Sequence, residues 1–595
     1  MRTICPWLAA GVLATIFLGC GESGSLTAGV AELSTAPPGV VPDQLVIQTV
    51  PGTSPAEVTA LARQVGATVA DRLDSLSAVL LQVDPVRRDS AAQQLGSSPL
   101  VEDVLANNTY GASPVASSEA AARQWHLDEI RARAAWMHGT GRGVTVAVLD
   151  TGVDAGHPDL AGRVRGGANT ADGVSGWGDG FGHGTAVAGT IAARSNAASQ
   201  TSSVAPDASI LSVRVTDAQN RATSWSLAAG IAYAVDAGAR VINISLAPDG
   251  AESDTLLTRQ CEWARVRGVL AVMSMGNTGA RSGAAPTESL LLVGATTQAR
   301  TRAGFSTFGD AVALAAPGER ILTTARGGGY AAYDGTSLAA PIVSGVAALA
   351  LSVRADLRPS TLRGILLSTA LDLGPAGPDA EFGAGLVDAA AAVTLAAATA
   401  AYADTTPPTL TVRGLSDGQT LSTAATVEAI VSDAADIADV TLAVDGQLIA
   451  VDSLAPFAIR LDPSAFRAGD HQVTVTATDV FGNASTRTLR ITFRPDVDTT
   501  PPRLTFSAPA AGSTVRGVVT LRADCTDNRG LASAEFSAAG QSLGTVPLAG
   551  TDAPAVVNWD VAASRVPTGE TTLTVRVYDA AGNSETASIR VTVAR

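Results

Sequence analysis

Val144-Thr145-Val146-Ala147-Val148-Leu149-Asp150 is a run of β-branched and aliphatic residues that ends on a carboxylate. A strand apolar on both faces is what a parallel sheet covered by helices on each side requires. Similar runs recur at Ile210 to Val215, Val241 to Ile244 and Val269 to Met273, with helix-like stretches between them. The alternation predicts an α/β domain with a central parallel sheet over residues 124–400. Ligands bind such sheets at the carboxyl ends of the strands. Asp150 stands at one such end, and Asn277 follows another strand by a few residues.

Two further stretches complete a chemical set with Asp150. They are Gly182-His183-Gly184-Thr185 and Gly335-Thr336-Ser337-Leu338-Ala339-Ala340-Pro341, the second opening a helix that runs to about Ser352. A serine hydroxyl is a poor nucleophile near neutral pH. It needs a base within hydrogen-bond reach, and that base needs an acceptor for its other ring nitrogen. Ser337, His183 and Asp150 fit those posts in that order. The oxyanion of a tetrahedral intermediate needs donors already in place, and the Asn277 amide with the Ser337 backbone N–H fits that need. Taken singly, Ser337 reads as a helix-start serine, Asp150 as a strand-end cap and Asn277 as a turn residue. The conjunction carries the chemistry.

These blocks, with His157-Pro158-Asp159-Leu160, Val241-Ile242-Asn243-Ile244-Ser245-Leu246 and Gly276-Asn277-Thr278-Gly279, resemble the subtilisin-type serine proteases, in the order Asp, His, Ser. The resemblance implies an endopeptidase made as a zymogen that cuts its own propeptide between Asn108 and Gln124. It also implies a substrate-binding edge at Ser245, Leu246, Ala247 and Gly276. Alanine stands at 186 where that family often has a second histidine, and Leu338 where it has methionine, which lessens oxidative inactivation. Ala247, Pro248, Asn220, Arg221 and Ala222 replace glycines of the substrate edges, and Met275 adjoins Asn277. A narrower primary pocket follows, suited to small or medium apolar residues. The triad chemistry requires no cofactor, and residues 195–203 lack the asparagine-rich calcium loop of many relatives, which leaves structural calcium open but unsupported. Asp154, Asp159, Asp172 and Asp179 read as calcium ligands or as solvated loop acids.

At 595 residues the chain has room for about four domains at roughly 150 residues each. Its formal charge of -15 and the absence of lysine speak against a nucleic-acid partner. Arg2, an apolar run from Trp7 to Leu18 and small residues around Cys20 form an export signal over residues 1–20. Leu18-Gly19-Cys20 resembles a bacterial lipobox, which leaves lipidation at Cys20 and ordinary cleavage nearby both open. The expected location is secreted, or a bacterial cell-surface or outer-membrane lipoprotein attached to a membrane by lipid. No later stretch reads as a bilayer span. Cys261 and Cys525 are too far apart in the chain to suggest a disulfide framework, and Cys261 falls on the apolar face of a helix with Trp263. His126, His138, His157 and His471 share no ligand spacing and read as surface or packing residues.

Residues 43–110 alternate strand, helix, two strands, helix and strand, the βαββαβ order of a ferredoxin-like unit. This stretch resembles the inhibitory propeptide of the same family, so the chain's own propeptide becomes an expected partner beside protein substrates. Small and polar residues 111–122 read as a flexible, cleavable connector. Thr405-Thr406-Pro407-Pro408 returns as Thr499-Thr500-Pro501-Pro502, a repeat of about 94 residues. Each copy has short alternating strands and ends in Asp-x-x-Gly-Asn, Asp479 to Asn483 and Asp579 to Asn583. Residues 405–495 and 499–595 therefore resemble bacterial Ig-like β-sandwiches. Such modules suit spacing, or adhesion to cell-surface components. The rival to the enzyme is a surface adhesion protein with a silent protease fold, whose signature would be a damaged triad.

Overall fold

The structure, a computed structural model, describes residues 39–111, 115–116, 124–172, 176–194, 201–249, 253–494 and 498–595. The expected export signal and Cys20 lie outside the described residues.

The N-terminal unit has the expected order: β1 (Val40–Thr49), α1 (Pro55–Gln64), β2 (Thr68–Leu73), β3 (Ala78–Gln82), α2 (Arg88–Gly96) and β4 (Val101–Gly111). The sheet order is β4-β1-β3-β2 and every pair is antiparallel. Its two faces serve different partners because side chains alternate along a strand. Leu45, Ile47, Val79 and Leu81 pack under α1 and α2, while Val46, Ala78, Leu80 and Tyr110 join the core of the next domain. Strand β4 continues to Gly111, four residues past the sequence expectation, because its end finds new partners in that domain.

The next domain begins with β5 (Val115–Ala116) and two short helices, α3 (Trp125–Glu129) and α4 (Ala132–Ala135). It continues through β6 (Thr145–Asp150), β7 (Val164–Asn169), α5 (His183–Ala192), β8 (Ser209–Arg214), β9 (Arg221–Thr223) and α6 (Ser224–Asp236). There follow β10 (Val241–Ile244), β11 (Ala247–Pro248), α7 (Thr255–Val266), β12 (Leu270–Ser274), β13 (Leu290–Thr296) and β14 (Val312–Pro317). The domain closes with β15 (Ile321–Ala325), β16 (Gly329–Asp334), α8 (Thr336–Val353), α9 (Pro359–Ser368) and α10 (Ala389–Ala398). Seven strands form one parallel sheet in the order β14-β13-β12-β10-β6-β8-β7. The chain leaves β6 toward one edge and returns at β10 to build toward the other. The carboxyl ends of β6 and β10 thus flank the switch point where ligands bind.

Helix α8 corrects the expectation that no span-length apolar stretch follows the N-terminus. Its 18 residues are apolar enough to cross a bilayer, but 89% of them are buried inside the protein. It is the central core helix, packed on β10, β12, β13 and α5. Cys261 is buried, as expected for a hydrophobe, and burial raises its thiol pKa.

Each C-terminal module pairs a three-stranded with a five-stranded sheet around its own apolar core. The Asp-x-x-Gly-Asn segments form the expected hairpin turns: Asp479 Oδ1 accepts the Phe481 and Asn483 N–H groups. The fold also gathers three carboxylates in each module, Asp404, Asp433 and Asp479 in the first and Asp498, Asp527 and Asp579 in the second, with ligand atoms within 4.8 Å of one another.

Candidate active site

Asp150 ends β6 fully buried, and its Oδ1 lies 2.7 Å from Nδ1 of His183. The same oxygen accepts the Thr151 N–H at 2.7 Å, which holds the carboxylate against rotation. His183 is the first residue of α5. Gly182 before it takes φ of +112°, a conformation L side chains rarely adopt, and Gly184 after it admits β6 so closely that a Cβ would sit 2.1 Å from the Gly152 carbonyl oxygen. The glycines flanking the imidazole therefore set how near helix and strand end approach.

Asp179 is buried in this fold rather than a solvated loop acid. It is 7% exposed, and its Oδ1 accepts from Thr151 Oγ1 and the Phe181 and Gly182 N–H groups, while Oδ2 accepts the Thr185 N–H and hydroxyl. It serves the otherwise unpaired donors at the start of α5 and so anchors His183. Asp159 is likewise buried, accepting the Tyr330 hydroxyl at 2.8 Å, whereas Asp154 and Asp172 bond to loop groups, Gly156 N and Asn169 Nδ2. Among the remaining histidines, His157 and His126 are buried and His138 is exposed. His471 lies against the Asp445 carboxylate at 2.6 Å.

Ser337 is the second residue of α8, which packs against α5. The structure differs here from the expected three-member relay. Ser337 Oγ donates to the Ser245 carbonyl at 3.1 Å, and His183 Nε2 is buried without a hydrogen-bond partner. The Asp–His half is formed, and Ser337 Oγ is not hydrogen-bonded to His183. Beneath the serine runs a buried polar chain: Ser344 Oγ donates to Asn243 Oδ1, Asn243 Nδ2 to Ser245 Oγ, and Ser245 Oγ to the Ser337 carbonyl.

Asn277 is fixed by its oxygen, since Oδ1 accepts the Thr336 N–H at 2.9 Å and the Thr336 hydroxyl at 2.8 Å. Its Nδ2 consequently turns toward the start of α8, 3.4 Å from the point a Cβ on Gly335 would occupy.

The stretches around Ala247 and Arg221 both pair with the chain's own β4, which runs between them. Gly111 pairs with Ala247 on one side and Arg221 on the other, and Tyr110 with Pro248 and Ala222. Leu246 is buried in the core and Ser245 beside Ser337, while Gly276 donates its N–H to Thr336 Oγ1. Within the segment expected to be a flexible connector, Val115 pairs with Asp334, three residues before Ser337. Sequence reading gives Asp179, three residues before the Gly182-His183 turn, another role, and offers no sign of Asp254 beyond its place before an apolar helix, as a cap stands.

The first Ig-like module touches both units. Arg460 pairs with Glu57 of the N-terminal unit at 2.9 Å and donates its N–H to the Pro51 carbonyl, and Asp436 pairs with Arg265 of α7 at 2.9 Å. Where the three meet there is a cavity of about 570 Å³, lined among others by Glu102, Arg259 and Asp452. Burial raises the buried Asp452 carboxyl to about 6, and burial with the nearby Asp452 charge raises Glu102 to about 7 against the pull of Arg259.

A buried carboxylate–imidazole pair at the switch point of a parallel sheet, beside a helix with a serine in its first turn, defines a serine hydrolase of the α/β class. The subtilase family model matches residues 141–385, the fervidolysin N-terminal prodomain residues 30–107, and the bacterial Ig domain residues 408–475 and 502–575. Subtilisin BL of Lederbergia lenta is 41% identical over 272 residues, covering 45% of this chain and 97% of that protein. Alkaline elastase YaB of Bacillus sp. (strain YaB) is 38% identical over 271 residues, 45% of this chain and 69% of that protein. Thermitase of Thermoactinomyces vulgaris is 40% identical over 232 residues, 39% and 82%. The chain belongs to the subtilase family. It is a subtilisin-like serine endopeptidase, built with an inhibitory prodomain as a zymogen and with two bacterial Ig domains behind the catalytic domain.

Proposed function

We propose that Ser337 attacks the scissile carbonyl after its Oγ swings from the Ser245 carbonyl to His183 Nε2. His183 takes the proton and returns it to the leaving amine, while Asp150 holds Nδ1–H and stabilises the imidazolium. Asn277 Nδ2 and the Ser337 N–H hold the oxyanion. Water then hydrolyses the acyl-enzyme by the same route. The acyl transfer draws on these protein groups alone. The observation that carries this reading is the buried 2.7 Å contact of His183 Nδ1 with Asp150, which leaves Nε2 without another bond.

The prodomain lies as a substrate would, and the bond it yields to self-cleavage falls between Gly111 and Val115. Those residues pair with Ala247, two residues after Ser245, and with Asp334, three residues before Ser337. Labelling the self-processed enzyme with a serine-directed phosphonate tests the assignment. The adduct is expected on Ser337, and the new N-terminus at one of residues 112–115. An unlabelled protein, as an adhesion module with a silent protease fold would be, refutes it.

The export signal and bacterial Ig modules support an extracellular enzyme, secreted or held through a lipid on Cys20. The modules themselves act as spacers or cell-surface contacts.

The three-way junction makes prodomain release pH-dependent. Release opens Glu102 and Asp452 to water and returns both toward their ordinary values of 4.5 and 3.8. Association therefore favours the protonated carboxyls. Its contribution is complete below about pH 4 and is lost as pH rises through about 6 for Asp452 and about 7 for Glu102. Enclosed Asp452 carries most of the effect, since Glu102 stays open to water on one side. Dissociation followed by size exclusion is expected to be faster at pH 8 than at pH 5. Equal rates, or the reverse order, contradict this.

A further inference from the structure

We propose that Asp254 is a specificity-determining residue, selecting substrates that carry a tyrosine at the strand position paired with Pro248. The inference rests on the endopeptidase reading above and names what its cleft prefers.

In the zymogen that position belongs to Tyr110. Its ring is 1% exposed, and its hydroxyl donates to Asp254 Oδ2 at 2.7 Å. Asn108 lies two residues earlier, on the same face of the strand, and donates Nδ2 to the same oxygen at 3.1 Å. Burial, then the neighbouring Asp254 charge, raises the pKa of the Tyr110 hydroxyl well above its ordinary value. The phenol thus stays a donor.

The two oxygens of Asp254 divide their duties. Oδ1 caps α7 by accepting the Leu257 N–H at 2.9 Å, a bond made wholly within the catalytic domain. Oδ2 takes three donors: Ser224 Oγ at the head of α6, Asn108 and Tyr110. Only the serine stays when the prodomain leaves. Beside the tyrosine ring lies a cavity of about 230 Å³ whose walls include Pro248, Leu257, Met273, Met275 and Leu292. The vacated site is therefore a mostly apolar slot, with hydroxyl residues such as Ser274 and Ser282 on its walls and one carboxylate oxygen of Asp254 at its end.

A phenylalanine fills the walls but brings no donor, leaving that oxygen undersupplied out of reach of water. A site built to bond a hydroxyl rejects the analogue lacking it far more strongly than an apolar pocket rejects a missing methylene. The preferred substrate is thus an extended segment with tyrosine opposite Pro248, helped by an amide side chain two residues earlier, as in Asn108-Thr109-Tyr110.

The test compares two internally quenched peptides cut by the self-processed enzyme, one copying residues 104–118 and one identical but for Tyr110→Phe. The wild-type enzyme is expected to show at least a tenfold higher kcat/KM on the tyrosine peptide. Asp254→Ser keeps a side-chain cap on α7 but is too short to reach the phenol, and the ratio should fall to within about twofold. A wild-type ratio near one overturns the proposal whether or not the variant folds, and so does a ratio that survives Asp254→Ser. Casein hydrolysis separates the two readings. No cleavage of casein or either peptide takes down the protease reading and this one with it, while equal cleavage of both peptides takes down this one alone.

Discussion

Ser337→Ala is expected to abolish both peptide hydrolysis and prodomain release. The loss in kcat should be on the order of 10⁶-fold, the size of effect that removal of the triad serine has in subtilisin. What survives is the oxyanion site and substrate binding, which act without the nucleophile. Folding should be nearly unaffected, because among the described residues the hydrogen bond given up is the one from Oγ to the Ser245 carbonyl, worth about 1 kcal/mol. The variant should therefore accumulate as an intact precursor, read as a single full-length mass. It should retain the pairing of Gly111 with Ala247. Appearance of a mature-length enzyme from the purified variant would contradict the role of Ser337.

Asp150→Asn is expected to lower kcat by about 10⁴-fold with little change in KM. The carboxylate accepts from His183 Nδ1 and from the Thr151 N–H on one oxygen. An amide nitrogen turned toward the ring would donate to Nδ1, place the ring proton on Nε2, and leave nothing to accept the serine proton. The substitution adds no atoms and buries no unpaired charge, so thermal stability should move little. Steady-state kinetics on one peptide measures the effect, and a loss smaller than about tenfold would show that Asp150 does not set the tautomer.

Much of this architecture is legible along the chain because it is local. The β-branched run Val144 to Leu149 is apolar on both faces and is central in the sheet, and the alternation over residues 43–110 produces the βαββαβ unit. The candidate site is legible for a different reason: His183 and Ser337 sit among glycines and small residues whose backbone demands are visible in the letters. Asp179 was misread because an aspartate between glycines looks solvated. Its burial depends on Thr151, 28 positions away, folding over it. Helix α8 was overlooked as an apolar stretch of membrane length, since its composition serves a soluble core equally well.

By itself the chain determined which chemical groups exist and which local structures present them: a carboxylate at a strand end, an imidazole and an alcohol each at a helix start, two repeated β modules. Only tertiary structure decided which of those groups meet. It joined Asp150 to His183 but left Ser337 on the Ser245 carbonyl, drew β4 between two edges more than 20 positions apart, and placed Asp254 beneath Tyr110. Periodicity and propensity act over a few residues. Such meetings are set by the packing of elements far apart in the chain, which no short window of sequence contains.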